Sequence, residues 1–250
     1  MNIKTSLILF SAGLALSSAV HAASVTYTTG NFASDGSNAS ILAKNGTVVS
    51  AINFTTDPPR TGPFTATNPD PSVTVNGIAF TATPGTSAGG LTGSFYSVNS
   101  AGLDIDRDSN LSYATSPMLD SLAYDVIRTG GNGAGMVFNL TNLTIGQPYQ
   151  VQFIFSASDA ARRLYLTSQA DANLAGSNNI LAYGVTNGAG LLTGTFTADA
   201  ATQTFNFWNT DTGSQRVSVA GFVLQSLPVP EPGAAALGLL GFLPMFRRRR

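Results

Sequence analysis

The 250-residue chain has no cysteine, one histidine and one glutamate, and only 10% of its residues are charged against the ~25% of an ordinary soluble protein. His21 and Glu231 both lie near the ends, so the long stretch between them carries no imidazole, thiol or glutamate side chain. That excludes from this stretch zinc or haem held by His or Cys, Cys-ligated iron–sulfur clusters, disulfides, cysteine-protease chemistry and Ser-His-Asp triads. Lysine is nearly as scarce, with Lys4 and Lys44 alone. The net charge of -1 hides an asymmetry: without Lys4, Glu231 and the terminal arginines, seven basic residues face twelve aspartates, about -5. A field of that sign disfavours nucleic acid, and Arg162-Arg163 is the only basic doublet of the body. No G-x-G-x-x-G, P-loop or H-E-x-x-H motif occurs.

The two ends read as addresses. Residues 1–22 have the three parts of a secretory signal peptide: Lys4, the apolar run Leu7 to Leu16, and Val20-His21-Ala22 with small or apolar residues at −3 and −1. Cleavage is expected between Ala22 and Ala23, because the apolar run is too short to span a ~30 Å hydrocarbon core comfortably. Residues 228–250 contain Val229-Pro230-Glu231-Pro232, then an apolar run from Gly233 to Phe246, then Arg247, Arg248, Arg249 and Arg250. The prolines bar helix continuation, the run can enter a bilayer as a short hydrophobic helix, and the arginines stay on the cytoplasmic side. Pro244 interrupts the run well short of the ~20 residues of a stable span, so transient insertion is expected.

This order of Pro-Glu-Pro, apolar run and arginine cluster resembles the PEP-CTERM sorting signal of exopolysaccharide-producing Gram-negative bacteria. The resemblance implies recognition by an exosortase-type membrane enzyme, processing near Pro230-Glu231-Pro232, and delivery to the cell surface or extracellular matrix.

Residues 23–227 read as one all-β domain, large enough to bury a core of its own. Gly, Ser, Thr, Asn and Ala dominate, and apolar residues recur with period two. Candidate strands are Ser24 to Thr28, Val48 to Phe54, Gly93 to Val98, Ala134 to Leu140, Tyr149 to Phe155, Arg163 to Thr167, Leu191 to Phe196, Gln203 to Trp208 and Arg216 to Gln225. Val73 to Thr81 reads as a hairpin turning on Asn76-Gly77, the pair that type I′ geometry favours. Ser116 to Tyr124 is the one short helix, with Ser116 as N-cap and Pro117 at the first helical position. An antiparallel jelly-roll β-sandwich fits this pattern, flanked by the signal peptide and the short C-terminal hydrophobic helix. The run Leu143 to Phe153 resembles the strand entry of secreted bacterial β-sandwiches, and Phe196 to Phe205 resembles a late strand of PEP-CTERM-associated domains. That resemblance implies a galactose-binding or carbohydrate-binding-module fold.

Three candidate chemistries follow. Asp104, Asp106, Asp108 and Asn110 place hard oxygens at alternate positions, as a Ca2+ loop requires, although Ser109 replaces the usual glycine and Thr115 the bidentate glutamate. A solvated acidic turn is the plainer alternative. Trp208, the only tryptophan, follows Phe205-Asn206-Phe207, so alternation turns it away from the two phenylalanines. With Asn206 and Asn209 beside it, it is a candidate glycan contact; the alternative is packing under a loop. Tyr96, Tyr113 and Tyr183 also adjoin polar, loop-like sequence. Asp120 with Asp125, or Asp104 with Asp108, are formal carboxylate pairs for glycoside hydrolysis, with no context that favours them. The expected function is a non-catalytic, exported protein associated with exopolysaccharide in the biofilm matrix or at the cell surface. A calcium-assisted carbohydrate-binding module is the alternative, followed by an aspartate-based hydrolase.

Overall fold

The computed structural model describes residues 23–32, 41–55, 72–84, 90–100, 102–107, 121–122, 125–129, 135–157, 162–167, 179–185, 188–208 and 216–229. Of residues 106, 107, 157, 162–167, 179–185 and 188 only the backbone is described. The strands are β1 (Thr26–Asn31), β2 (Thr47–Thr55), β3 (Thr74–Val75), β4 (Ile78–Ala79), β5 (Thr81–Pro84), β6 (Gly90–Gly93), β7 (Tyr96–Ser100) and β8 (Asp104–Arg107). They continue with β9 (Asp125–Arg128), β10 (Met136–Leu140), β11 (Pro148–Ala157), β12 (Arg162–Thr167), β13 (Asn179–Val185), β14 (Gly188–Thr197), β15 (Gln203–Trp208) and β16 (Ser218–Ser226).

Two sheets face each other. The larger has the order β1-β14-β11-β16-β2-β5, with β9 also pairing β16 and β8 pairing β9. The second has the order β13-β12-β15-β10-β7-β6. Pairing is antiparallel except between β2 and β5. The all-β expectation therefore holds, with two packed sheets.

Period-two alternation builds the inner core. Tyr149, Val151, Phe153 and Phe155 of β11, with Phe222 and Leu224 of β16, meet Phe138 of β10 and Phe205 and Phe207 of β15. Phe153 is the hub, with ring centroids 5.0 Å from Phe138, 5.0 Å from Phe205 and 5.1 Å from Phe207, all edge-to-face. Such rings gain from quadrupole contacts beyond the area they bury.

The larger sheet also has a second core on its outer side. Leu42, Val75, Ile78, Phe80 and Leu122 cover Ile154, Leu191, Ala220 and Val223 there. Asn76 and Gly77 take φ values of 48° and 74°, as the type I′ turn between β3 and β4 requires. Asn76 Nδ2 donates to the Leu42 carbonyl at 2.9 Å and Lys44 Nζ to the Gly77 carbonyl at 3.4 Å, tying that hairpin to residues 41–44. Beneath them Gln225 spends its whole amide. Its Oε1 accepts from the Asn45 and Gly46 N–H groups at 2.8 and 3.0 Å, and its Nε2 donates to the Ala43 carbonyl at 2.8 Å and Gln152 Oε1 at 3.1 Å.

Several expectations are corrected. Gly93 to Val98 is not one strand: Ser94 and Phe95 form a tight turn between β6 and β7. Asp104 to Arg107 is extended and paired with β9, not the opening of a loop. Strands β9 and β13 went unread: β9 owes its state to β8 and β16, far from it in the chain, and β13 is an edge strand paired with β12 alone among the described strands. Of the helix expected at Ser116 to Tyr124, only Ser121 and Leu122 are described, and these are helical. The signal peptide through Ala22 and the terminus from Pro230 onward lie outside the described residues.

Candidate functional site

The outer side of the six-stranded sheet differs in kind from that of the larger one. Inward positions on its strands are apolar: Leu91, Val98, Met136, Phe138, Leu140, Phe205 and Phe207. The alternate, outward positions include the uncharged polar residues Thr92, Ser97, Asn99, Asn139 and Thr204, beside the apolar Val137 of β10. Register aligns Thr92 with Ser97, Ser97 with Asn139, and Asn139 with Thr204, so four neighbouring strands contribute one row. Thr92 and Thr204 are exposed, Ser97 and Asn139 half-buried. Thr204 Oγ1 donates to Asn139 Oδ1 at 2.7 Å, and Asn139 Nδ2 donates to Ser97 Oγ at 3.2 Å. The relay fixes the Asn139 amide and leaves an acceptor lone pair on Thr204 and a free donor on Ser97.

Beyond Thr204 the same face of β15 carries Asn206 and Trp208, each only 8% exposed. Asn206 Oδ1 and Trp208 Nε1 are buried without a hydrogen-bond partner among the described residues. One is an acceptor and the other a donor, two residues apart on one face. Leaving such groups unmet costs about 1–3 kcal/mol each, so this corner holds polar capacity that the described residues do not use. Register places Thr167 opposite Asn206 and Tyr165 opposite Trp208. Trp208 stands on the side of β15 that Thr204 and Asn206 share, and it is buried there.

At the opposite end of the row, a groove of about 410 Å³ opens where the β2/β5 edge of the larger sheet meets the β6–β7 turn. Its walls include Ser50, Thr81, Thr83, Thr92, Phe95 and Tyr96. The Tyr96 ring lies across Gly93, where a Cβ would press into the ring carbons. Burial pushes the Tyr96 phenol above its ordinary range, partly offset by a hydrogen bond with the Thr83 side chain. Tyr96 is therefore a core residue of β7 and not part of a loop. The groove was not foreseen, because it is made by two sheet edges from distant parts of the chain.

The acidic candidates fare differently. Asp104 pairs with Arg128 across β8 and β9, Oδ2 to Nη2 at 3.1 Å, with Arg216 Nη1 at 3.7 Å. Its Oδ1 accepts the Ile105 N–H at 2.8 Å. A carboxylate already faced by two guanidinium groups does not suit a first Ca2+ ligand. Asp106 is described by its backbone alone, and Asp108 and Asn110 lie outside the described residues. No group of three or more acidic, His or Cys side chains gathers among the described residues. Asp125 is fully buried, while its formal partner Asp120 lies outside the description, as do Asn209 and Tyr113. Tyr183 falls on β13, where only the backbone is given. The sorting residues Pro230, Glu231, Pro232 and Arg247 to Arg250 are likewise outside, whereas Ala23 packs partly buried against the inner core. A comparison with protein-family models and with curated proteins finds no match, so the site is read on its own geometry.

Proposed function

We propose that this protein is a non-catalytic, exported β-sandwich of jelly-roll type that associates with exopolysaccharide at the cell surface or in the extracellular matrix. An exosortase-type membrane enzyme would process it after transient insertion of its C-terminal segment. The observation that carries the reading is the inequality of the two sheets. One outer face is closed by a second apolar core, whereas the other offers a row of uncharged hydroxyl and amide groups. The order of the strands supports the jelly-roll assignment: from β10 to β16 the chain passes repeatedly between the two sheets. The body's lack of histidine, cysteine and glutamate supports work by surface contact.

Intact mass measurement on the full chain, expressed in an exopolysaccharide-producing host and recovered from culture fractions, tests this. The expected product begins at Ala23, ends near Pro230-Glu231-Pro232 and is found in the envelope or matrix fraction. Unprocessed chain in the cytoplasm overturns the reading.

A further inference from the structure

We infer that the outer face of the six-stranded sheet binds an extended, neutral polysaccharide laid across the strands, from the groove at Tyr96 toward Trp208. The inference rests on the exopolysaccharide reading above and adds the class of glycan and the path it takes.

Three observations converge on it. The first is shape and spacing. Thr92, Ser97, Asn139 and Thr204 stand on four adjacent strands, so the row covers three strand spacings, about 14 Å. That length suits a run of sugar rings and exceeds what one sugar would use. Thr92 belongs both to this row and to the groove wall, so row and groove form one track.

The second is hydrogen-bond capacity. A sugar hydroxyl both donates and accepts. The relay on the row presents an acceptor at Thr204 and a donor at Ser97, and beyond it Asn206 Oδ1 and Trp208 Nε1 add a second acceptor and donor that have no partner among the described residues. Both atoms are buried in the free protein, so a glycan seated at this end of the row changes the surroundings of Trp208.

The third is charge. The row, Asn206 and Trp208 carry no ionisable group, and they sit on a body of seven basic residues against twelve aspartates. The body's net charge disfavours an acidic polymer more than a neutral one; against this, Arg163, two positions along β12 from Tyr165, is a basic position on the same face by register.

Because Trp208 is the only tryptophan, its emission reports this site alone. The test titrates the full chain with neutral glucan, galactan and mannan oligosaccharides and with a polyuronate at matched ionic strength, alongside affinity electrophoresis in gels containing each polymer. The expected result is a saturable change in Trp208 emission with a neutral glycan and none with the polyuronate. Thr204→Ala, an exposed change, and Asn139→Ala should each weaken binding about tenfold, the effect of one or two lost hydrogen bonds. Unfolding midpoints measured in parallel keep a folding defect apart from a binding defect. The inference is overturned if no neutral glycan binds, if the polyuronate binds more tightly, or if both variants bind as the parent does. A correctly processed, matrix-located protein that fails this titration would sink the inference and leave the export reading standing.

Discussion

Gln225→Ala should remove about 3–5 kcal/mol of stability, although it deletes only a small uncharged group. Gln225 is fully buried, and its amide makes four hydrogen bonds to the Asn45 and Gly46 N–H groups, the Ala43 carbonyl and Gln152 Oε1. At about 0.5–1.5 kcal/mol net for each bond, the sum is about 2–6 kcal/mol. The middle of that range applies, because the two N–H groups sit in a half-buried segment that water can reach in part. Gln225→Met separates hydrogen bonding from volume: it refills most of the space and should still cost about 2–4 kcal/mol, because it restores none of the four hydrogen bonds. Urea unfolding followed by Trp208 emission and far-ultraviolet circular dichroism reads the loss as a lower midpoint at unchanged slope. The segment over the larger sheet is what closes that face, so loss of its anchor should also raise the binding of a hydrophobic dye. A destabilisation below about 1 kcal/mol for both variants would show that residues 43–46 are held by something other than this amide, and the argument for a purposely closed face would fail.

Phe153→Ala should cost about 3–5 kcal/mol in the same assay, because it empties the hub of the aromatic core. Gly77→Ala should cost about 1–2 kcal/mol: its φ of 74° is left-handed and nothing lies within 4 Å of an added Cβ, so the penalty is pure backbone strain. Asp104→Ala should lower stability by no more than about 1 kcal/mol, since both its arginine contacts are partly open to solvent. The Tyr27 phenol is pushed up to about 12 by burial. A folded value above the unfolded 10.0 means the folded state binds the proton more tightly, so stability is intact below pH 10 and falls as pH rises toward 12. With the ring half-exposed the loss is about 1 kcal/mol, and Tyr27→Phe should flatten that part of the pH profile.

What the sequence disclosed was local. Asn76-Gly77 specifies its own turn, and the hairpin of β3 and β4 stands where that dipeptide puts it. The apolar alternation of β11, β15 and the later part of β16 is long enough to identify each strand without its neighbours. Strands β8 and β9 could not be read in this way. Each has four residues with charges at the ends, and the extended state comes from pairing Asp104 with Arg128 across 24 positions of chain. The segment Gly93 to Val98 misled for a related reason. Its alternation is genuine, but Gly93 and Tyr96 belong to opposite strands of a tight turn in which the ring folds over the glycine. Trp208 shares its side of β15 with Thr204 and Asn206, while its burial depends on chain that counting along β15 does not reach.

Composition hid the site for a further reason, which is that the same residue types do opposite work on the two sheets. On the larger sheet Gln150, Gln152 and Gln225 point outward from β11 and β16, and the backbone or side chains of residues 41–46 meet every one of them. Their hydrogen bonds are consumed within the fold, and a buried apolar layer lies beside them. On the six-stranded sheet Ser97, Asn139 and Thr204 bond to one another, so their polarity is arranged without being used up. A count of asparagine, glutamine, serine and threonine treats both sets alike. Register separates them, because it decides which amides face a covering segment and which face solvent. It follows that moving the row off its register should abolish binding without unfolding the protein. A single-residue insertion in the turn between β10 and β11 would not do this, since it leaves Asn139 opposite Ser97. One placed within β10 between Phe138 and Asn139 would turn Asn139 inward and break the relay. If such an insertion kept both the fold and full glycan affinity, the row would be a decoration of the surface and not its working part.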